Sequence, residues 1–146
     1  MSLAWRLDHL HLYAADIEAT TRWYQQVFDA RVQRARQSDG RVRTDLVIGE
    51  LVLYLSDAKK LSANLGWTLH DAPGSPHLGL DHFGLYVDDL EGAARVLAER
   101  GARITFGPKW LRPGAGCFYV EAPDGVTIEV IHRDLRIDAV PLEGGA

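Results

Sequence analysis

Two histidines at matched points of a repeated stretch are where this chain can do chemistry. Leu7-Asp8-His9-Leu10-His11-Leu12-Tyr13-Ala14-Ala15-Asp16 returns as Leu80-Asp81-His82-Phe83-Gly84-Leu85-Tyr86-Val87-Asp88-Asp89. At a shift of 73 residues, seven of the twelve positions from Leu7 to Glu18 are identical. Chance at one fixed offset gives roughly one match, so the chain carries an internal duplication. Imidazole is a metal ligand and, with an ordinary pKa near ~6.5, also an acid or base at neutral pH. His11 shares a strand face with His9, because strand side chains alternate with period two. It is the candidate acid/base, the alternatives being a residue that orients a metal ligand and a hydrogen-bonded core histidine. Glu129 lies in the apolar run Val126-Thr127-Ile128-Glu129-Val130-Ile131. A carboxylate there is expensive to bury alone and must meet a cation, a hydrogen-bond donor or water. Lys109 and Arg112 are placed to clamp an anionic substrate, or else are simply solvated loop charges.

The elements that must position these groups follow the duplication. The first half, residues 5–57, reads as strand 7–13, then a helix capped by Asp16 and carrying Ile17, Tyr24, Val27 and Phe28 at helical spacing. Strands follow at Arg31–Ala35, Val42–Ile48 and Leu51–Leu55, with a turn at Ser38-Asp39-Gly40. The second half, residues 80–134, repeats the order. It has strand 80–87, a helix capped by Asp89 and closed at Gly101, strand 103–105, a Gly/Pro-rich loop 107–116, and strands 117–121 and 126–131. Between the halves, residues 58–79 mix Gly66, Pro73, Gly74 and Pro76 around Trp67. They read either as a lid over a pocket or as a surface linker. Residues 135–146 lose pattern and read as a tail.

At 146 residues and 47% hydrophobic, the chain suits one compact domain of two closely related halves. A net charge of -4 with no basic cluster argues against nucleic acid. The sequence shows no run of eighteen apolar residues and no charged-then-apolar N-terminal segment, so neither a membrane span nor a signal peptide is expected. The lone Cys117 forms no internal disulfide and fits the cytoplasm. A small molecule is the expected partner.

Two strand-helix-three-strand units in one chain resemble the vicinal oxygen chelate superfamily, which includes glyoxalase, bleomycin-resistance, extradiol-dioxygenase and fosfomycin-resistance families. The resemblance rests on His9/Asp16, His82/Asp89 and Phe118-Tyr119-Val120-Glu121-Ala122-Pro123-Asp124-Gly125 followed by Glu129. It implies an α+β fold of two tandem βαβββ modules forming a half-barrel cup, with a metal between them. It carries the ligand positions onto His9, His82 and Glu129. Two imidazoles and a carboxylate suit a divalent transition metal and leave positions for substrate. Fe2+ or Mn2+ is favoured, with Zn2+ or Ni2+ as alternatives.

The glyoxalase-like branches resemble one another in a fourth ligand, which here falls on Leu53 or Tyr54. Leucine cannot ligate, and neutral tyrosine ligates poorly, so Tyr54 reads as a substrate-lining residue. That moves weight to three-ligand branches. The extradiol dioxygenases resemble this chain in the Phe-Tyr-x-x-Ala-Pro run, which implies that Tyr119 assists the substrate. Their catalytic His before the Phe-Tyr pair is replaced by Trp110, Leu111, Arg112 and Pro113, leaving His11 or His77 for proton transfer. The reading placed first is a metal-dependent extradiol-type dioxygenase of a catechol-like compound. A glyoxalase-like lyase or epimerase, a fosfomycin-type thiol transferase and a metal-free drug-binding protein are the alternatives. Several branches pair each half with the opposite half of a second copy, so a homodimer is expected.

Overall fold

The computed structural model describes residues 4–66, 68, 70 and 78–134. Trp67, His77 and residues 73–76 of the linker, and the tail from 135 onward, lie outside the described residues. The chain divides into two compact units, Met1–Ala72 and Pro73–Ala146.

In the first unit the elements are β1 (Leu10–Ala14), α1 (Ile17–Phe28), β2 (Arg31–Arg36), β3 (Val42–Ile48), β4 (Leu51–Asp57) and α2 (Ala58–Leu65). The sheet order is β1-β4-β3-β2, with β1 parallel to β4 and the other pairs antiparallel. Helix α1 starts where the Asp16 carboxylate accepts from the Ala19 amide, one of the orphan donors of the first turn. It buries Thr20, Thr21, Tyr24 and Val27, and Leu46, Leu53 and Leu55 of the sheet are buried with them. Each such aliphatic side chain contributes about 1.5–3 kcal/mol by leaving water. Because side chains alternate, the intervening residues His11, Tyr54 and Asp45, which pair across β1, β4 and β3, share the opposite face.

The second unit repeats this plan as β5 (Phe83–Tyr86), α3 (Leu90–Glu99), β6 (Arg103–Arg112), β7 (Ala115–Glu121), a 3-10 turn at Pro123–Gly125 and β8 (Thr127–Arg133). The order β5-β8-β7-β6 matches that of the first sheet, with β5 parallel to β8. Asp89 caps α3 by accepting from the Gly92 amide. The first-turn glutamates that repeat at Glu18 and Glu91 reach their own outer regions. Glu18 accepts from Arg34 of β2, and Glu91 accepts from the Trp110 indole of β6. The α+β class and the doubled βαβββ order are as the sequence implied, with a helix added after the first.

Three local expectations are corrected. His9 and His82 stand just ahead of β1 and β5 rather than inside strands. The start of the linker is helical: Asp57 caps α2 through the Lys60 amide, and Gly66 closes it at φ 67°. The Gly/Pro-rich stretch 107–116 is mostly strand. β6 runs on to Arg112, paired to β7 with register shifts around Gly107 and Pro108. Being an edge strand it tolerates proline at a bulge, and Gly107, at φ 76°, leaves no room for a Cβ, which would lie 2.6 Å from the Cys117 carbonyl.

Candidate functional site

The second unit gathers His82, Glu129 and Tyr119. The parallel register sets Gly84 against Glu129, and the antiparallel one sets Tyr119 against Glu129, so β5, β8 and β7 aim these positions at one face. His82 Nε2 lies 3.4 Å from Glu129 Oε2, and its Nδ1 lies 2.7 Å from Asp81 Oδ2. A carboxylate can only accept, so Nδ1 carries the hydrogen and Nε2 is the atom turned to Glu129. The hydrogen bond to Asp81, reinforced by Glu129, raises the His82 pKa against the opposing effect of burial. The Tyr119 ring meets His82 edge-on, centroids 5.4 Å apart. Burial, then the Glu129 charge, pushes the Tyr119 phenol up from its ordinary value, so it stays a hydrogen-bond donor at neutral pH. Cys117 is buried beside them, its thiol raised by burial and by Glu129.

The first unit builds a different arrangement from the same plan. His9 Nδ1 bonds Asp8 Oδ2 at 2.6 Å, repeating the Asp-His pairing. The residue matched to Glu129 is Tyr54, since Tyr54 pairs with His11 as Glu129 pairs with Gly84, the residue that the repeat aligns with His11. The register therefore selects Tyr54 over Leu53 for the position of the fourth ligand. Its ring stacks on His9 with centroids 3.8 Å apart, and the Arg43 guanidinium lies 4.2 Å from the ring centre. Arg43 is held in turn by Asp45 through Nε and Nη2 at 2.8 Å, and that pairing raises its pKa.

His11 donates to or accepts from Ser56 Oγ at 2.7 Å and borders an open cavity of about 610 Å³. Helix α2 supplies one wall through Lys60, Leu61 and Asn64. Lys109 and Arg112 are not drawn into either cluster. Both are exposed on β6, opposite Cys117 and Ala115, and among the described residues neither forms an ion pair. Among the described residues no three His, Cys, Asp or Glu side chains are grouped to hold a metal. What the sequence reading passed over is the pair Asp8 and Asp81, although both lie inside the identical repeat, and the arginines Arg41 and Arg43. Among the described residues no helix is long and apolar enough to cross a membrane.

Comparison with known proteins agrees with the fold. The chain is 22% identical over 129 residues to the "Probable lactoylglutathione lyase, chloroplastic" of Arabidopsis thaliana. The match covers 88% of this chain but 36% of that protein, so the chain spans little more than a third of its relative's length. Among solved structures it superposes on the glyoxalase family protein from Enterococcus faecalis with a TM-score of 0.64 and 22% identity, over 88% of this chain and 97% of that one. The fosfomycin resistance protein FosX from Mesorhizobium loti gives a TM-score of 0.57 at 19% identity, over 93% and 97%. Residues 6–130 match the family model itself, and the chain belongs to the Glyoxalase/Bleomycin resistance protein/Dioxygenase superfamily.

Proposed function

We propose that the chain is a divalent-metal-dependent enzyme in which His82 and Glu129 hold the ion, His9 being the further ligand position that the family pattern carries onto this chain. The observation that carries this reading is the 3.4 Å separation of His82 Nε2 from Glu129 Oε2. Two donors each about 2.1 Å from one ion, at octahedral or tetrahedral angles, stand roughly 3.0–3.4 Å apart. Asp8 and Asp81 fit the same role, because a carboxylate on Nδ1 fixes the tautomer that leaves Nε2 to ligate. When bound, the ion supplies Lewis acidity toward two neighbouring oxygens of a small substrate. Tyr119 donates a hydrogen bond to the substrate, and His11 moves a proton. With Tyr54 rather than an acid at the fourth position, the set suits Fe2+ or Mn2+ and oxidative opening of a catechol-like ring.

The test is anaerobic loading of metal-free protein with Fe2+, Mn2+, Zn2+ or Ni2+, followed by oxygen-uptake measurements with catechols. The expected result is about one ion per chain, lost in His82→Ala and Glu129→Ala, with oxygen consumed in step with the catechol. Retention of less than about a tenth of an equivalent of every ion would overturn the reading.

A lyase acting on a thiol adduct is the second reading, supported by the Arabidopsis relative. It needs a fourth donor from Tyr54. Loss of the metal in Tyr54→Phe would favour it over the dioxygenase.

A further inference from the structure

We propose that the first unit carries a recognition pocket for the anionic group of the substrate, a carboxylate or a phosphate ester on an apolar body, built around Arg41 and Arg43. Both arginines border the 610 Å³ cavity, together with Lys60 and His11. Each guanidinium is already gripped along one edge. Asp39 takes Nε and Nη2 of Arg41, and Asp45 takes the same two atoms of Arg43. A guanidinium has five N–H donors, so the Nη1 corner of each is left for another acceptor. Pinning also removes much of the rotamer entropy that a free arginine loses on capturing an anion.

Cations outnumber carboxylates among the residues that line the cavity. Arg41, Arg43 and Lys60 border it with Asp57, whose carboxylate lies 3.7 Å from Lys60 Nζ. Asp39 and Asp45, which pair with the two arginines, are not among its lining residues. Beside this cationic rim the wall turns apolar through Leu55, Leu61 and Ile17. A ligand with one anionic end and a hydrophobic body satisfies both parts. A cavity of this size takes a small organic molecule rather than a bare ion.

The pocket also stands in register with the proposed chemistry. Arg43 touches Tyr54, and Tyr54 touches His9, so one row of contacts joins the cationic rim to the Asp8-His9 pair. The inference deepens the metal-enzyme reading by naming the substrate class, and it rests on that reading for its catalytic meaning. Binding of the anion does not depend on the metal.

The experiment therefore uses metal-free protein. 2-Naphthoate, 2-naphthyl phosphate and the neutral 2-naphthamide are titrated by calorimetry and by NMR of the arginine Nε–Hε signals. An anionic probe is expected to bind in the millimolar range or tighter and to shift the Arg41 and Arg43 signals. The amide should bind about tenfold more weakly or not at all, since it forfeits a charge-assisted contact. The tighter of the two anions identifies the source as carboxylate or phosphate. Arg43→Gln exposes Asp45 to loss of its partner and risks the fold. Arg41→Gln and Lys60→Gln, both at exposed side chains, serve instead, each weakening anion binding about five- to tenfold at unchanged melting temperature. Equal binding of the amide and the carboxylate, no binding of either anion, or wild-type affinity in both variants overturns the proposal. Metal loading is measured separately, so failure of the pocket and failure of the metal reading are told apart.

Discussion

The His9 imidazole lies flat on the Tyr54 ring, with centroids 3.8 Å apart and planes inclined by 14°. Contact through the ring faces does not use the phenol oxygen. Tyr54→Phe is therefore expected to keep both the fold and the metal content. Tyr54→Ala should weaken metal binding several-fold, because the His9 ring loses the surface that orients it. Competitive chelator titration of both variants checks this.

Asp8 and Asp81 each take the Nδ1 hydrogen of the histidine that follows. Asp81→Asn should lower metal affinity about tenfold or more, and Asp8→Asn similarly. An asparagine still reaches Nδ1 but can present its NH2 there and favour the wrong tautomer. Nitrogen-15 shifts of the histidine rings in the metal-free variants report the tautomer directly, apart from any effect on activity.

Asp45 is nearly buried and its charge is met by Arg43. Arg43→Met keeps an unbranched side chain against Tyr54 but leaves the carboxylate without its partner. The urea midpoint is expected to fall, and Asp45→Asn in the same background should restore part of the loss. A midpoint unchanged in the single variant would show that water replaces the guanidinium without cost.

His132 has an acceptor at each ring nitrogen, the Val87 carbonyl at 3.0 Å and Asp134 Oδ1 at 3.2 Å. Only the imidazolium donates from both, so the Val87 bond first, then Asp134, raises its pKa above the ordinary value near 6.5. A raised folded-state pKa means the contribution to stability is full below ~6.5 and is lost as pH rises through the folded value. The melting temperature of wild type should thus decline relative to Asp134→Asn as pH passes upward from ~6.5. Titration of the His132 ring proton by NMR should show the same difference.

The duplication and the helix caps were legible because they are local. An Asp seven residues after a His, opening an apolar helical stripe, says where each unit turns from strand to helix. Tyr54 was not separable from Leu53 in the same way. The offset between repeats is 73 at His9 and 75 at Tyr54, so only strand pairing shows which residue stands for Glu129. Gly107, Pro108, Pro113 and Gly114 suggested a loop, yet an edge strand with bulges accepts the first two and a tight turn uses the others. The cationic rim was illegible for another reason. Arg41 and Arg43 enter β3 from a hairpin and Lys60 belongs to α2, and nothing in their spacing announces that these elements border one cavity.

The residues that line that cavity fall between His11 and Asn64, whereas the His82–Glu129 pair and its Asp81 fall between 81 and 129. A single genetic crossover in the intervening stretch would exchange one group whole while leaving the other untouched. Chimeras of related chains joined there would inherit the cavity, together with His9, from one parent and the His82–Glu129 pair from the other. A library randomised at Arg41, Lys60 and Leu61 alone would search new substrates without disturbing the carboxylate and imidazole of the second unit.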